Sequence, residues 1–128
     1  MKLNELLKKH KLSLILMHGS QVTGKIHGRS DLDIAVMPKK SNTKVDVFKL
    51  YGDLSHQFKT DHVDLVNLGT ANPLLMYSVA RKNKLLAGKI DDFNNFLSQA
   101  FCKYNNYKPY LKMEAEFVKE RVLSYANN

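Results

Sequence analysis

The chain has 128 residues, which suits one domain with a single hydrophobic core. Its 44% hydrophobic and 25% charged residues are typical of a globular protein, and no apolar run approaches the roughly 20 residues that span a bilayer. The net charge of +8 favours an anionic partner, but the lysines are scattered and do not indicate nucleic acid as a direct substrate. With one cysteine and no signal peptide pattern, we expect a cytoplasmic protein without a membrane anchor.

The first half of the chain predicts two helices and two strands. The pattern of residues 3–11 predicts an amphipathic helix, and residues 12–17 are a short apolar run typical of a buried strand. After a polar connection, residues 31–37 alternate between polar and apolar side chains, which predicts a second strand that ends at Pro38. Residues 45–58 then predict a helix, in which Phe48 is expected to face the core.

The second half begins with a third strand at residues 63–68 and a helix that runs from about residue 72 to 82. Pro73 suits the first turn of that helix. Leu85 and Leu86 predict a short strand piece. This alternation predicts an α/β (α+β) fold, a small mixed sheet flanked by helices.

The last third of the chain is helical. Apolar and aromatic residues recur at spacings of three and four from Ile90 onwards, Pro109 is expected to break or kink the segment, and residues 111–125 predict a last helix. No linker is visible. We therefore expect a single domain over residues 1–128, with a core at about 12–87 and a C-terminal helical extension at about 90–125.

Paired carboxylates are the first chemical signal. Residues two apart in a strand project from the same face, so Asp31 and Asp33 are expected to lie side by side. Two such carboxylates repel each other unless a cation lies between them. Magnesium prefers oxygen ligands of this kind and leaves positions open for phosphate oxygens. The Asp31–Asp33 pair alone is weak evidence for a metal site, because surface acids at this spacing are common.

The second signal is a Gly-Ser pair that follows the first strand, ten residues before the carboxylates. Gly19 lets backbone N–H groups approach a phosphate closely, and the Ser20 hydroxyl lies where a following turn can hold a terminal phosphate. A P-loop interpretation of residues 19–25 fails, because the next position must be Ser or Thr and is Ile26. The strand, the Gly-Ser turn and the carboxylate strand together predict a triphosphate–metal site.

A third carboxylate is needed as a base or an additional metal ligand. Asp64 lies inside the apolar third strand, where a charge requires a partner, and the two other carboxylates with their metal would supply one. A buried salt bridge to a lysine is the alternative for Asp64. Asp61 and His62 are other candidates at the edge of the strand, and His18 is either a packing or lid residue or a catalytic one.

These motifs resemble the polymerase-beta-type nucleotidyltransferase superfamily. The resemblance rests on Gly19-Ser20, the ten-residue spacer, residues 30–34 and residues 63–65, and it covers about residues 12–87. The length and the helical tail resemble the minimal nucleotidyltransferases, many of which are antitoxins encoded beside a HEPN-domain ribonuclease toxin. The resemblance implies a palm-type core.

The resemblance also implies a reaction and a set of residues. Such an antitoxin uses ATP and magnesium, with two ions expected, to attach AMP to a tyrosine hydroxyl of its cognate HEPN toxin and silence it. Gly19 and Ser20 match the triphosphate-binding pair. Asp31, Asp33 and Asp64 match the metal-binding and catalytic carboxylates. The arginine that is common after the Gly-Ser pair is absent, so Lys25 or Arg29 is expected to supply positive charge to the phosphates.

Two other functions stay open. The chain could neutralise its toxin by binding alone, or it could modify a small molecule such as an antibiotic hydroxyl. Small-molecule nucleotidyltransferases usually carry a larger second domain that grips the acceptor, and only about 40 residues follow the core here. The short extension favours an acceptor that brings its own structure, which is a protein.

Overall fold

The structure is a computed structural model, and it describes residues 2–19, 22 and 32–126. The described residues form four helices and a four-stranded sheet. In chain order the elements are α1 (Leu3–Lys9), β1 (Leu12–His18), β2 (Leu32–Pro38), α2 (Val47–Phe58), β3 (Val63–Asn67), α3 (Pro73–Arg81), β4 (Asn83–Gly88) and α4 (Ile90–Ala126). The predicted mixed sheet with flanking helices and a helical C-terminal extension is confirmed.

The strands are ordered β3-β2-β1-β4 across the sheet. Strand β1 pairs antiparallel with β2 and with β4, whereas β2 and β3 are parallel. Asp33 lies opposite Asp64, and His18 lies opposite Asn83. The last residue of β1 and the first residues of β2, β3 and β4 therefore meet at one end of the sheet, which we call the Asp33 end.

Apolar side chains cover both faces of the sheet. On one face Ile15 and Ile34 are buried against Leu6 of α1 and Leu50 and Leu54 of α2. The other face carries a second cluster beneath α3 and α4, formed by Leu14, Leu16, Ala35, Leu68, Met76, Val79, Ala80, Phe96 and Ala100. Because consecutive side chains of a strand point to opposite faces, these two clusters identify the face on which any other strand residue lies.

Two helices begin at side-chain caps that the sequence supplies. The Asp46 carboxylate accepts a hydrogen bond from the Lys49 N–H at the start of α2, and the Asn72 side chain accepts one from the Leu75 N–H at the start of α3. The prediction that Phe48 faces the core is wrong, since its side chain is 88% exposed. The inward face of α2 is set by Leu50 and Leu54, four residues apart.

Two further predictions are corrected at the C-terminal end of the chain. Strand β4 has six residues rather than a two-residue piece, because it pairs along β1 from His18 to Leu14. Helix α4 runs for 37 residues and continues through Pro109, so the separate last helix is not formed. A proline inside a helix removes one hydrogen bond donor, a local cost that the rest of a long helix offsets here. None of the described helices is long and apolar enough to cross a membrane.

Candidate active site at the Asp33 end of the sheet

Two carboxylates face each other across neighbouring strands at the Asp33 end. Asp33 is the second residue of β2 and Asp64 is the second residue of β3, and the parallel register places them directly opposite each other. The Leu32 N–H donates a hydrogen bond of 2.6 Å to the His62 carbonyl, which fixes this register where both strands begin. Neighbouring strands lie about 4.8 Å apart, so both carboxylates can reach the same cation.

The same face of the sheet carries His18, Asp33 and Asp64. Leu16 in β1 and Ala35 in β2 belong to the cluster beneath α3 and α4, and they lie two residues from His18 and Asp33 respectively. Asp64 likewise lies two residues from Val66, which packs against that cluster. By the two-residue period of strands, the imidazole and both carboxylates therefore lie on the α3–α4 face.

The surroundings of Asp64 differ from the sequence expectation. Asp64 is exposed rather than buried within its strand. The alternative of a buried salt bridge to a lysine is also not found among the described residues, whose ion pairs involve Asp53. Strand β3 lies at the edge of the sheet, and this leaves the Asp64 side chain open to solvent and accessible to a substrate.

Gly19 brings the backbone close to the Asp33 carboxylate. Its φ of +80° lies in the left-handed region that side chains other than glycine rarely adopt. A Cβ atom at this position would overlap Oδ2 of Asp33. The glycine is therefore required both by its backbone conformation and by its contact with the carboxylate. The structure places Gly19, the first residue of the predicted phosphate-binding pair, directly beside a predicted metal ligand.

His18 is the last residue of β1, on the opposite side of β2 from Asp64. It is half-buried, and its Nε2 atom is buried with no hydrogen bond partner among the described residues. Burial lowers the pKa of His18, while the negative charges of Asp33 and Asp64 act in the opposite direction. The net result is a neutral imidazole at pH 7, one nitrogen of which can donate or accept a hydrogen bond within the site.

The other predicted site residues lie outside the described part of the chain. These are Ser20, Lys25, Arg29 and Asp31. The described residues contain no group of three or more His, Cys, Asp or Glu side chains that could hold a metal ion. They do supply the oxygen donors of Asp33 and Asp64, and magnesium is commonly held by one or two carboxylates together with substrate phosphates. The donor set present therefore fits magnesium.

A model of the family described as "Polymerase beta, Nucleotidyltransferase" matches residues 1–92. Two curated relatives are both named protein adenylyltransferase MntA. The one from Aphanizomenon flos-aquae is 28% identical over 118 residues, which cover 84% of this chain and 79% of the relative. The one from Shewanella oneidensis is 32% identical over 96 residues, which cover 75% of this chain and 68% of the relative.

Two solved structures that contain similar chains are of toxin–antitoxin complexes. A toxin–antitoxin complex with AMP-PNP contains a chain that is 30% identical, with a TM-score of 0.71, and the match covers 93% of this chain and 94% of that one. A second structure contains a tri-AMPylated Shewanella oneidensis HEPN toxin with its MNT antitoxin. The matching chain there is 28% identical with a TM-score of 0.64, over 93% of this chain and 91% of that one.

Proposed function

Because this chain belongs to the polymerase beta nucleotidyltransferase family, we propose that it is a protein adenylyltransferase that silences a cognate HEPN ribonuclease toxin. It would act in the cytoplasm and transfer AMP from ATP to a tyrosine hydroxyl of that toxin. The observation that carries the proposal is the pairing of Asp33 with Asp64 beside Gly19 on one face of the sheet. Two relatives are named protein adenylyltransferase, and a solved complex joins an MNT antitoxin to an AMPylated HEPN toxin. Both findings support the choice of a toxin as the acceptor.

The donor triphosphate is held at the turn that follows β1. The close approach of the Gly19 backbone to Asp33 leaves no room there for a side chain, and it places the start of the Gly-Ser pair beside a carboxylate that would hold the metal. Ser20 and the neighbouring backbone N–H groups would hold the terminal phosphates. Lys25 or Arg29 would contribute positive charge in place of the arginine common in the family. The ATP analogue in a related complex supports this choice of donor.

The carboxylates serve the chemical step. Asp31, Asp33 and Asp64 would bind two magnesium ions, whose charge offsets the negative charge that develops on the phosphate oxygens. Asp64 is exposed at the sheet edge, so its carboxylate can accept the proton of an arriving tyrosine hydroxyl. The hydroxyl oxygen then bonds to the α phosphorus, the bond to the β phosphate breaks and pyrophosphate leaves. His18 is neutral and can position the acceptor or a phosphate by a hydrogen bond.

The distal part of α4 supplies a surface for a protein acceptor. From Lys112 to Ala126 every residue of the helix is exposed. Val118, Val122 and Tyr125 follow one another at spacings of four and three, which places them on one side of the helix. Their side chains are 52%, 60% and 71% exposed respectively. An apolar stripe of this kind marks a protein contact, and we assign it to the toxin.

The first experiment follows the phosphorus atom that is transferred. The protein is incubated with magnesium, the toxin encoded beside it and ATP labelled at either the α or the γ phosphate. We expect label on the toxin from α-labelled ATP and none from γ-labelled ATP. Asp33→Asn should abolish the transfer. Asp61→Asn, which removes an exposed acid two residues before β3, should retain it.

Three outcomes would contradict the proposal. Label from the γ phosphate would identify a kinase. Equal transfer by wild type and Asp33→Asn would remove the carboxylate pair from the chemistry. Absence of transfer, combined with full neutralisation of the toxin by both proteins, would identify an antitoxin that acts by binding alone.

A further inference from the structure

A hollow of about 620 Å³ lies on the outer face of α3, beside α4. The side chains that line it combine two tyrosine rings, two positive charges, a serine hydroxyl and a leucine, and they are Leu74, Tyr77, Ser78, Arg81, Lys82 and Tyr104. Of the described residues of the candidate active site, Asp33, Asp64 and Gly19 do not line it. Within the described part of the chain, the hollow is therefore a surface separate from the Asp33–Asp64 pair and Gly19.

Two stacked tyrosine rings form the rigid part of this hollow. The rings of Tyr77 in α3 and Tyr104 in α4 are 3.7 Å apart and almost parallel, and the ring of Phe101 meets Tyr77 edge-on. The Arg81 guanidinium lies over the Tyr77 ring, and the Lys108 ammonium lies over the Tyr104 ring. Aromatic faces next to cations are the combination that binds a nucleotide, since the base stacks on a ring and the phosphate pairs with a cation.

The described residues that line the hollow carry positive charge and no carboxylate. Residues 65–90 and 93–113 contain no Asp or Glu. Arg81, Lys82 and Lys108 form no ion pair with any described residue. The hollow therefore attracts anions, and a cation that lacks a carboxylate partner is free to bind a phosphate.

The chain connects the hollow to the Asp33 end of the sheet. Arg81 and Lys82 directly precede Asn83, and Asn83 pairs with His18 in the sheet. The Asn83 side chain donates to the carbonyls of Val79 and Ala80, which fixes the last turn of α3 against the start of β4. A group held by Arg81 and Lys82 thus lies next to the place where transfer occurs, without occupying it.

We propose that this hollow binds an AMP group that is already attached to the acceptor protein, so that the acceptor is retained for a further transfer. The proposal rests on the function proposed above and extends it to repeated modification. A relative's toxin carries three AMP groups, so an enzyme of this kind meets acceptors that already bear a nucleotide. The adenine base stacks in the hollow and its phosphate pairs with Arg81 and Lys82.

The test counts AMP groups per acceptor over time by intact-protein mass spectrometry, with wild type and the double variant Arg81→Ala/Lys82→Ala. Both side chains are exposed, so the fold is expected to tolerate the change. The matched control is Lys39→Ala/Lys40→Ala, which removes two adjacent exposed cations that follow β2 at the end of the sheet opposite the Asp33 end. The first AMP should be added at a rate within about twofold of wild type, and later additions should be slowed about tenfold or more. The control should match wild type throughout.

A second variant addresses the ring. Tyr104→Leu keeps an apolar side chain on α4 but removes the stacking surface, and it should slow the later additions while leaving the first unchanged. An unchanged melting temperature would confirm that α3 and α4 still pack together.

The outcomes separate this proposal from the proposed function. If wild type adds no AMP at all, the proposed function fails. If wild type adds AMP but the variants show the same distribution of products, or if wild type stops after one AMP, the assignment of the hollow is overturned. If the double variant slows the first addition and raises KM for ATP, the hollow binds the donor nucleotide, and the assignment is again overturned.

Discussion

The body of the molecule and the distal part of α4 use their apolar side chains in opposite ways. In the body, Leu16, Ile34 and Phe96 are at most 2% exposed, because helices cover both faces of the sheet. In residues 112–126, which we call the distal helix, the apolar side chains all face solvent. Helix α4 is about 55 Å long at 1.5 Å per residue, more than a sheet of this size can cover.

This difference separates two tasks. The body positions Asp33 and Asp64 on paired strands, with Gly19 directly after β1, and register and packing hold this geometry. The distal helix adds no buried contact to the body, so its apolar stripe has no role in folding. Changes in the body should therefore affect chemistry or stability, and changes in the distal helix should affect association with the acceptor.

The largest effect is expected from Asp33→Asn. The side chain keeps its size but loses the charge that we assign to the metal, so kcat for AMP transfer should fall at least about a thousandfold. Binding to the acceptor should be unchanged, since the distal helix is untouched. Single-turnover kinetics and a pull-down would measure the two properties. A variant that retains more than a tenth of the wild-type rate would contradict the role of Asp33.

The next effect is expected from Gly19→Ala. The new Cβ overlaps Oδ2 of Asp33, and a φ of +80° costs a side chain about 1–2 kcal/mol. Displacement of the Asp33 carboxylate should lower kcat by about ten- to a hundredfold. This loss corresponds to about 1.4–2.7 kcal/mol of activation free energy. The control is Gly52→Ala in α2, where an added Cβ meets no atom within 4 Å. That change should preserve activity and leave the melting temperature equal or slightly higher. Equal activity of the two alanine variants would show that the Gly19 contact is unimportant.

Much of this body could be predicted from the sequence, because its signals are local. The alternation around Asp33 and the apolar run before Gly19 predict β2 and β1, and the Asn72-Pro73 cap predicts the start of α3. The role of Ser20, Asp31, Lys25 and Arg29 stays a prediction.

The features that sequence reasoning missed depend on contacts between distant residues. The length of β4 is set by pairing with β1, some 70 residues earlier in the chain. The exposure of Asp64 follows from the edge position of β3, which no local pattern reveals. The stack of Tyr77 on Tyr104 joins two helices whose separate periodicities contain no sign of it. Pro109 predicts a helix break locally, but the helix continues on both sides of it.

A smaller effect is expected in the distal helix from Val118→Ser/Val122→Ser. Each change removes an apolar side chain worth about 1–2 kcal/mol when a partner covers it, so the Kd for the acceptor should rise at least about tenfold. The control Glu116→Ser/Glu120→Ser alters the opposite side of the same helix by the same number of serines. Calorimetric titration would measure Kd for each variant. If the glutamate variant weakens binding as much as the valine variant, the stripe is not the contact surface.

The smallest effect concerns stability alone. Hydrogen bonds from Lys9 and, to a smaller extent, from His10 lower the pKa of Asp53. The Lys9 Nζ and His10 Nε2 atoms lie 2.9 and 2.7 Å from Oδ2 of Asp53. A carboxylate whose pKa is lower in the folded state stabilises the fold above its unfolded pKa, and this contribution disappears as the pH falls through the folded value. Asp53→Asn should therefore lower the free energy of unfolding at pH 7 by about 1 kcal/mol.

The gap between wild type and Asp53→Asn should close below about pH 4, where the carboxylate becomes protonated. Urea denaturation at several pH values would measure it, with AMP transfer at pH 7 unaffected because Asp53 lies in α2, away from the Asp33 end. A gap that stays constant into acid would show that charge is not the cause.

The most direct test of the division between body and distal helix is the ribonuclease activity of the toxin after incubation with this protein. Wild type with ATP and magnesium should abolish that activity lastingly, so that it stays absent once the antitoxin is removed. Asp33→Asn should bind the toxin equally well but leave it active after removal. If Asp33→Asn silences the toxin as lastingly as wild type, binding through the helix is sufficient and the carboxylate pair is not what neutralises the toxin.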